Sequence, residues 1–529
     1  MSISVSVTRC TACKECTREQ KEKYFSIKSD KTLHHIDTLY YAVFLNEPEE
    51  VMKLQKQDDM PENFQEFLSM LRESKAYLKT NSETAVEFGD LHCTLKAFAN
   101  YEYCITLEEC FDIFIASHLP TAETPRIVVQ LRSRYLVLEG VINALEKSMF
   151  YLMEFLKPFG LVPVKVRENR IDYAFHTNLI HNPYKFFRDE QLRKHLKTNL
   201  RIYQKIGKIG EEITVDTFNL GNRKSNNVYF RAYNKAREVI EMNYKAFFIE
   251  RWYREGLISE FDKYVYEVAY ELKSYRTGIL VGRLKWYIEY GKNEKLKAEC
   301  EKLLEKNYIN SDNCSQIEKK IRNVIPEPTT IFNIEYQTKR KFYVTCGEWI
   351  DRYADCTPLL ELVGKYENGG LLKDLFIILG NARAIIDYLT GYGNVVSFVD
   401  DRSMSLKDFY EAGEPYMAWW QRIRGTPICY SFDTDIELYR NYDIAVSIQK
   451  SRRLTLGNVA RLAMLKNQNV EERPYVEDLS DALCVLNDND LCNENGEVND
   501  PRGYAAIRKR KARQTRGVIS TGKDPIPET

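Results

Sequence analysis

VKVRENRIDYAFH, residues 164–176, alternates apolar with polar side chains, which is the two-residue period of a β-strand that buries one face. Three further stretches show the same period: EITVDTF (212–218), VYFRAY (228–233) and KYVYEVAYEL (263–272). A helical stretch around 235–257 interrupts them, and the order of elements is not a regular strand–helix alternation. The pattern therefore predicts an α+β fold built on an antiparallel sheet, not repeated βαβ units.

Upstream of these strands the pattern is mixed. IDTLYYAVFL (36–45) and RIVVQL (126–131) have the composition of strands. Apolar residues then recur at helical spacing at Val141, Leu145, Met149, Leu152 and Leu156. This stripe predicts one long amphipathic helix whose apolar side packs on the core.

Composition limits the kind of protein. The chain has 529 residues, which suggests two to four domains, and 76 basic against 76 acidic side chains. It contains no apolar run long enough to cross a bilayer and no apolar segment typical of a secretion signal at its start. We therefore expect a soluble, cytoplasmic protein without a membrane partner, whose polyanion contacts, if any, come from local patches.

The organisation along the chain suggests five segments. A polar tail (1–30) carries Cys10, Cys13 and Cys16, which form either a solvated tail or part of a zinc site completed by His34 or Cys93. A sheet-containing domain (31–284) is followed by a charged helical connector (285–329). A mixed, helix-rich C-terminal region (330–470) precedes a flexible tail (471–529) that is first acidic and then basic.

Alternation splits each predicted strand into two faces. The polar faces combine carboxylates, an imidazole, a guanidinium and a phenol, and together they comprise Asp172, His176, Arg231, Tyr233, Glu267 and Glu271. If these faces belong to one sheet and point the same way, they supply ligands for a divalent cation, a nucleophile and a phosphate contact. The solvent face of any antiparallel sheet has a similar composition, so a merely solvated face is the alternative.

Strand geometry limits a cation site. Asp172 and His176 lie four residues apart, roughly 13 Å along a strand, so one strand supplies one ligand and the others come from across the sheet. We expect Asp172 with Glu267 or Glu271 as ligands, and His176 as an outer partner or general base.

The run GNRKSNNVYFRAYNKARE (221–238) resembles the motif of the replication initiation factor family, the rolling-circle initiators of Gram-positive plasmids and the related relaxases of conjugative elements. NRIDYAFH (169–176), YEVAYELK (266–273) and RIVVQLRSRYLVLEG (126–140) resemble flanking segments of the family in the same order. The matching residues of the motif are Gly221, Arg223, Lys224, Ser225, Arg231, Tyr233, Asn234, Lys235 and Glu238. His176 stands where the family often has a second aspartate, and the arginine often found before the glutamate is missing.

The resemblance covers about residues 34–280 and implies an enzyme that nicks and rejoins DNA. Tyr233 would be the nucleophile that attacks one strand at an origin and forms a 5′-phosphotyrosyl link. A Mg²⁺ or Mn²⁺ ion held by Asp172 and a glutamate would polarise the phosphate. Arg231 and Lys235 would contact phosphates, and Arg223 with Lys224 would grip the entering strand.

In this interpretation residues 31–284 are the catalytic nicking domain, and residues 330–470 are an accessory or DNA-recognition region. The substrate would be origin DNA with a single-stranded or cruciform nick site, and the partners a helicase and a second copy of the chain. Two alternatives stay open: a DNA-binding or partner-recruiting protein without the chemistry, and a structural protein whose sheet faces are only solvated.

Overall fold

The computed structural model describes residues 7–8, 24, 26–27, 30–45, 60–78, 82–97, 101–108, 110–116, 125–180, 186–187, 189–200, 202–209, 212–224, 226–305, 309, 313–321, 324–345 and 357–432. The chain divides into two compact units, Met1–Arg340 with Tyr353–Ile436, and Lys341–Arg352 with Glu437–Thr529. Of the second unit, residues 341–345 are described. Cys10, Cys13 and Cys16, and the tail at 471–529, lie outside the described residues, so the zinc and tail predictions stay predictions.

The strands are β1 Val7–Thr8, β2 Ser26–Ile27, β3 Thr32–Leu45, β4 Glu83–Phe88, β5 Leu91–Lys96, β6 Tyr103–Leu107, β7 Phe111–Ile115, β8 Ile127–Arg132, β9 Pro163–Thr177, β10 Leu196–Thr198, β11 Ile202–Ile209, β12 Glu212–Leu220, β13 Val228–Asn234, β14 Phe332–Lys339 and β15 Val396–Phe398. β1 pairs with β2, and β10 pairs with β15. Within the described chain the other eleven strands form one sheet, in the order β11-β12-β13-β14-β9-β3-β8-β7-β6-β5-β4.

Every neighbouring pair in this sheet is antiparallel. The predicted α+β class with an antiparallel sheet is therefore confirmed. The strand β14 lies between β13 and β9, although it follows β13 by almost a hundred residues. The predicted boundaries at 284 and 330 consequently do not coincide with an edge of the sheet, because a strand from the C-terminal region lies inside it.

The helices are α1 Glu62–Ala76, α2 Ser133–Glu139, α3 Val141–Leu156, α4 Asp189–His195, α5 Lys235–Arg237, α6 Phe247–Arg254, α7 Glu260–Glu271, α8 Tyr275–Tyr290, α9 Glu294–Glu305, α10 Cys314–Ile321, α11 Arg340–Thr345, α12 Thr357–Lys365, α13 Lys373–Gly380, α14 Ala382–Thr390, α15 Leu406–Glu411 and α16 Ala418–Arg424. A 3-10 turn covers Lys157–Phe159, and a π-helical segment covers Glu238–Asn243. No helix of the described residues is long and apolar enough to span a bilayer.

The stretch predicted as a strand at 263–272 is instead part of helix α7. Ser259 caps this helix: its hydroxyl accepts a hydrogen bond from the backbone N–H of Asp262, whose carboxylate accepts one from the backbone N–H of Ser259. Phe261, Val265 and Ala269 then recur every four residues on the buried side. The prediction was wrong because the preference of tyrosine and valine for strands is weak. The capping box and the burial of one helical face stabilise the helix by more than that preference opposes it.

The two faces of the sheet have different surroundings. The apolar face, which includes Tyr173 and Tyr336, packs against α3 and the C-terminal helices; the hydroxyl of Tyr41 lies 2.9 Å from that of Ser148 on α3. Trp420 on α16 packs against Phe230 with 6.4 Å between ring centroids. One end of the polar face is covered by a separate core formed by α6, α7 and α8. The polar face is therefore closed at one end and open further along.

Helices α7 and α8 pack closely against each other at Gly278. A Cβ atom added there would lie 2.6 Å from the Cα of Ala269. We expect Gly278→Ala to destabilise the fold by about 1–3 kcal/mol, because two backbones would have to separate. Gly364→Ala on α12 is the control, since nothing lies within 4 Å of its added Cβ. Urea unfolding of both variants measures the effect; equal stability of the two would contradict the close approach.

Candidate active site

The register of three central strands places the predicted polar residues on one face. Tyr233 lies opposite Asn333, and Arg231 lies opposite Glu335. On the other side of β14, Asn333 pairs with His176 and Gln337 pairs with Asp172. Because side chains alternate along a strand, the polar members of β13, β14 and β9 all project from the same surface.

The hydroxyl of Tyr233 has three polar partners. It donates a hydrogen bond to Oε2 of Glu335 at 3.2 Å and accepts hydrogen bonds from Nδ2 of Asn333 at 2.9 Å and Nζ of Lys235 at 3.3 Å. Only 6% of the tyrosine is exposed. A carboxylate acceptor and a cationic donor thus meet at one phenolic oxygen.

Burial raises the pKa of the Tyr233 phenol far above its ordinary value; Lys235 opposes that rise and the carboxylate of Glu335 adds to it. The phenol is therefore fully protonated at neutral pH. A protonated phenol is a weak nucleophile, so any attack by this oxygen requires a group that accepts its proton. In this structure the carboxylate of Glu335 is the group placed to accept that proton.

Lys235 is fully buried and ionised. Its Nζ lies 2.6 Å from Oε2 of Glu238 and 3.6 Å from Oδ1 of Asp37. Burial alone would lower the pKa of Lys235, but the carboxylates of Asp37 and Glu238, with Tyr233, raise it. Asp37 reaches this position because β3 changes register against β9 between Ile36 and Thr38. The prediction that Lys235 contacts phosphate at the surface is corrected: it lies beneath Tyr233.

Two arginines hold the carboxylates of the face. Arg231 binds Glu335 through two N–H donors, each at 2.9 Å. Arg170 binds Asp172 in the same forked manner, with its Nε at 2.8 Å from Oδ1. Burial raises the pKa of Asp172 to about 6, against the lowering effect of Arg170. Both carboxylates therefore already have a cationic partner.

Arg231, Arg170 and Asp172 line a cleft of about 800 Å³, and Glu335 lies behind this lining. Tyr233, Arg231, Asp172 and Arg223 all line it, so the structure brings together four of the predicted site residues. Arg223 is held by Gln337, whose Oε1 accepts a hydrogen bond from its Nε at 3.3 Å. Lys224 is exposed in the adjoining turn, and Ser225 lies outside the described residues.

His176 is not beside the tyrosine. It lies two strands away on β9, where Nε1 of Trp252 donates to its Nδ1 at 3.0 Å and the ring packs against His35. Burial lowers the pKa of His176 well below its ordinary value, with His35 adding to this effect, so the ring is neutral. The prediction of His176 as the base is therefore corrected. Glu335 contacts Tyr233 and His176 does not, because β14 lies between β13, which carries Tyr233, and β9, which carries His176.

Glu267 and Glu271 also lie elsewhere. Both are on α7, and neither lines the cleft. The side chain of Glu267 is 53% exposed and lies 3.7 Å from Nζ of Lys263. The predicted ligand set Asp172, Glu267 and Glu271 is thus not brought together, because its glutamates were assigned to a strand that is a helix.

Asp172 and Glu335 do not fit a preformed cation site. Among the described residues, no group of three His, Cys, Asp or Glu side chains is arranged to hold a metal ion. The oxygens of Asp172 and Glu335 are bound by Arg170 and Arg231, which a cation would have to displace. The expected need for Mg²⁺ or Mn²⁺ stays a prediction, to be checked by chelation with EDTA before a cleavage assay.

Three contacts of this site were not predicted: Asn333, Glu335 and Asp37. The first two lie in FNIEYQTK (332–339), which alternates polar with apolar residues and could have been recognised as a strand with a polar face. Asp37 could not, because its position depends on an irregularity in β3 that alternation does not reveal.

Titration of Asp172 gives one testable consequence. The folded chain keeps this carboxyl protonated up to about pH 6, whereas an unfolded Asp ionises near pH 4. Through this group, the free energy of unfolding falls as pH rises between those values, because the folded state binds more protons. We expect Asp172→Asn to remove that fall, which is about 1–3 kcal/mol between pH 4 and pH 7. Urea unfolding across this range measures it, with exposed Asp90→Asn as control; an unchanged slope in Asp172→Asn would contradict the assignment.

No protein-family model matches the chain, and no curated protein matches it. Among solved structures, it is similar to a rolling circle replication initiator protein from Geobacillus stearothermophilus, with 11% sequence identity and a TM-score of 0.31. The match covers 76% of this chain and 100% of that chain. A TM-score of 0.31 supports neither a shared fold nor a shared activity. Any function of this chain is therefore inferred from the geometry around Tyr233.

Proposed function

We propose that the chain nicks one strand of DNA with Tyr233 as the nucleophile, in the manner of a rolling-circle replication initiator or relaxase. The observation that carries the proposal is the phenolic oxygen of Tyr233, held between the carboxylate of Glu335 and the ammonium of Lys235 at the wall of an open cleft. A buried tyrosine hydroxyl usually has one polar partner. The hydroxyl of Tyr233 has one acceptor, which can take its proton, and two donors, which can stabilise the phenolate that remains.

The proposed step transfers one proton and exchanges one bond. Glu335 accepts the phenolic proton while the oxygen of Tyr233 forms a bond to phosphorus and the bond from phosphorus to the 3′ oxygen breaks. The leaving oxygen takes a proton from water, which gives a 3′-hydroxyl and a 5′-phosphotyrosyl link. Lys235 and Asn333 stabilise the negative charge that develops on the attacking oxygen, because both already donate to it.

Cations at the cleft wall suit a phosphate substrate. Arg223 and Arg231 line the cleft with Arg237 and Lys245, and guanidinium groups bind phosphate oxygens in a forked geometry. The substrate proposed is an origin that presents its nick site as a single strand or cruciform. A helicase partner and a second copy of the chain remain predictions.

The direct test is mass spectrometry of the full chain after incubation with labelled oligonucleotides that carry candidate nick sites, with and without Mg²⁺ or Mn²⁺. Trypsin cleaves after Arg231 and Lys235, so the expected nucleotide adduct lies on the short peptide 232–235. An adduct on another tyrosine would assign the nucleophile elsewhere.

Glu335→Gln tests the proton acceptor. We expect adduct formation to slow by about 10²–10⁴-fold, because the amide cannot accept the phenolic proton as a carboxylate does. Glu241→Gln is the matched control: this carboxylate lines the cleft and, like Glu335, is bound to an arginine, Arg237, at 2.8 Å, but it is not one of the three partners of the Tyr233 hydroxyl. Rates are measured with the same labelled oligonucleotide, and circular dichroism checks folding. An adduct rate within a few fold of the wild type would remove Glu335 from the step.

The burial of Tyr233 also favours a second candidate function, that of a DNA-binding protein without nicking activity. Its hydroxyl is satisfied by three partners, which is typical of a structural network. This candidate predicts retention of origin DNA with no covalent adduct at any concentration of divalent ion.

A further inference from the structure

A second lysine, Lys245, lines the cleft beside Tyr233. It follows the π-helical segment Glu238–Asn243 and Tyr244, whose backbone φ of 49° lies in the left-handed region. The hydroxyl of Tyr270 donates a hydrogen bond to the carbonyl oxygen of Tyr244 at 2.7 Å, which stabilises this turn. π-helical segments and left-handed residues with large side chains are uncommon and are concentrated at functional sites. The backbone therefore departs from a regular helix just before Lys245.

The ammonium groups of Lys235 and Lys245 have different partners, although both lie near the ring of Phe248. They are 5.0 and 6.0 Å from its centroid. Lys235 is bound to the carboxylate of Glu238 at 2.6 Å. Nζ of Lys245 donates instead to the hydroxyl of Ser133 at 2.8 Å, and it forms no ion pair with a carboxylate of the described residues. An ammonium group has three N–H donors, so two of them remain for a substrate in the cleft.

The surroundings of the two lysines shift their pKa values in opposite directions. Burial lowers the pKa of Lys245, and the ammonium of Lys235 adds to this effect. The carboxylates of Asp37, Glu238 and Glu335 oppose it without cancelling it. Around Lys235 the carboxylates outweigh burial and raise the pKa. Lys235 therefore keeps its proton, whereas Lys245 gives its proton up more readily, and such a separation suits two like groups to different steps of one reaction.

The strand cleavage proposed above needs a second proton transfer. Glu335 takes the proton of Tyr233, and the 3′ oxygen that leaves phosphorus must gain one. A leaving alkoxide is released more easily when a positioned acid gives it a proton as the bond breaks. We propose that Lys245, in place of water, donates the proton to this 3′ oxygen. The inference rests on the proposed function for the reaction itself.

The step balances with Lys245 as the donor. As the bond from phosphorus to the 3′ oxygen breaks, its electron pair takes a proton from Nζ, and Lys245 becomes a neutral amine. Glu335 then releases a proton to solvent and Lys245 takes one up, so the products are unchanged. Lys245 is half-buried and also lines a second cavity, of about 790 Å³, through which water can reach it. In strand joining, the neutral amine accepts the proton of the attacking 3′-hydroxyl.

The test replaces the 3′ oxygen of the scissile bond with sulfur. A thiol ionises at about pH 8.5, so a thiolate leaves without a proton donor. The full chain is incubated with two labelled oligonucleotides that carry the same candidate nick site, one with bridging oxygen and one with bridging sulfur. We expect Lys245→Met to slow adduct formation by about 10²–10⁴-fold on the oxygen substrate and by no more than a few fold on the sulfur substrate. Lys263→Met is the control, because Lys263 is bound to Glu250 and neither lines the cleft.

Lys245→Arg separates proton donation from positive charge. Arginine keeps the charge but holds its proton to above about pH 12, so this variant should also be slow on the oxygen substrate alone. Adduct formation by Lys245→Arg at the wild-type rate on the oxygen substrate would overturn the inference. Circular dichroism checks the folding of both variants, and Lys245→Arg decides the question if Lys245→Met does not fold.

The two substrates also separate this inference from the proposed function. Equal slowing of folded Lys245→Met on both substrates, or no slowing on either, would reject Lys245 as the proton donor while the wild-type adduct still supports cleavage by Tyr233. Absence of any adduct with the wild type on both substrates would reject the proposed cleavage and this inference with it.

Discussion

Tyr233→Phe is expected to abolish the covalent protein–DNA adduct, with a loss of at least about 10³-fold in strand cleavage. The substitution removes a single oxygen, the one that a carboxylate and an ammonium group both contact at hydrogen-bond distance. The fold should lose only about 1 kcal/mol, because Glu335 keeps its bonds to Arg231 and Asn333. Supercoiled plasmid carrying the cognate origin, analysed on denaturing gels, measures both nicking and attachment.

Tyr229→Phe is the matched control for this experiment. Tyr229 lies on the same strand and face, four residues earlier, and it is paired with Gln337. Its hydroxyl has none of the partners described for Tyr233, so nicking should be unchanged. Equal losses in both variants would mean that tyrosine side chains on β13 support the fold and that neither is the nucleophile.

Lys235→Met is expected to destabilise the protein by about 3–5 kcal/mol at neutral pH. The side chain is fully buried, and its removal leaves the carboxylates of Asp37 and Glu238 without their cation. Burial would raise the pKa of Asp37, but Lys235 and His35 hold it well below its ordinary value. That lowered pKa contributes stability above the pKa of an unfolded Asp, and the contribution is lost as pH falls through the folded value. The cost of the substitution should therefore shrink in acid.

Urea unfolding at neutral and acid pH measures this effect, and a second substitution isolates its cause. Asp37→Asn combined with Lys235→Met should recover part of the lost stability, since one uncompensated charge is gone. Lys263→Met is the control, because Lys263 is bound to Glu250 near the surface and should cost no more than about 1 kcal/mol. A Lys235→Met variant as stable as this control would show that the buried cation is not required.

Local patterns predicted the parts of the fold that depend on local chemistry. The alternation at 164–176 and 228–233 assigned Asp172, Arg231 and Tyr233 to polar faces that the sheet does bring onto one surface. The apolar stripe from Val141 to Leu156 is helix α3 with that stripe buried. In 228–233 and in the helix one face is buried along its whole length, so period and burial agree.

The partners of Tyr233 could not be predicted in this way. Glu335 reaches the tyrosine only because β14 pairs with β13 across about a hundred intervening residues, and alternation says nothing about which strands become neighbours. The glutamates of α7 show the opposite problem: their spacing fits either period, and the cap at Ser259 decided between them. The burial of Lys235 depends in turn on the irregular register that turns Asp37 inward.

The late position of β14 has a consequence for synthesis on the ribosome. A nascent chain that has not yet delivered Phe332–Lys339 carries Tyr233 without Glu335 and Asn333, and its sheet has a gap between β13 and β9. Closing that gap is a long-range pairing and hence a slow step in folding. Partial translation products should therefore fail to cleave DNA, and proteolysis of arrested chains of increasing length would reveal protection only once this segment has left the exit tunnel.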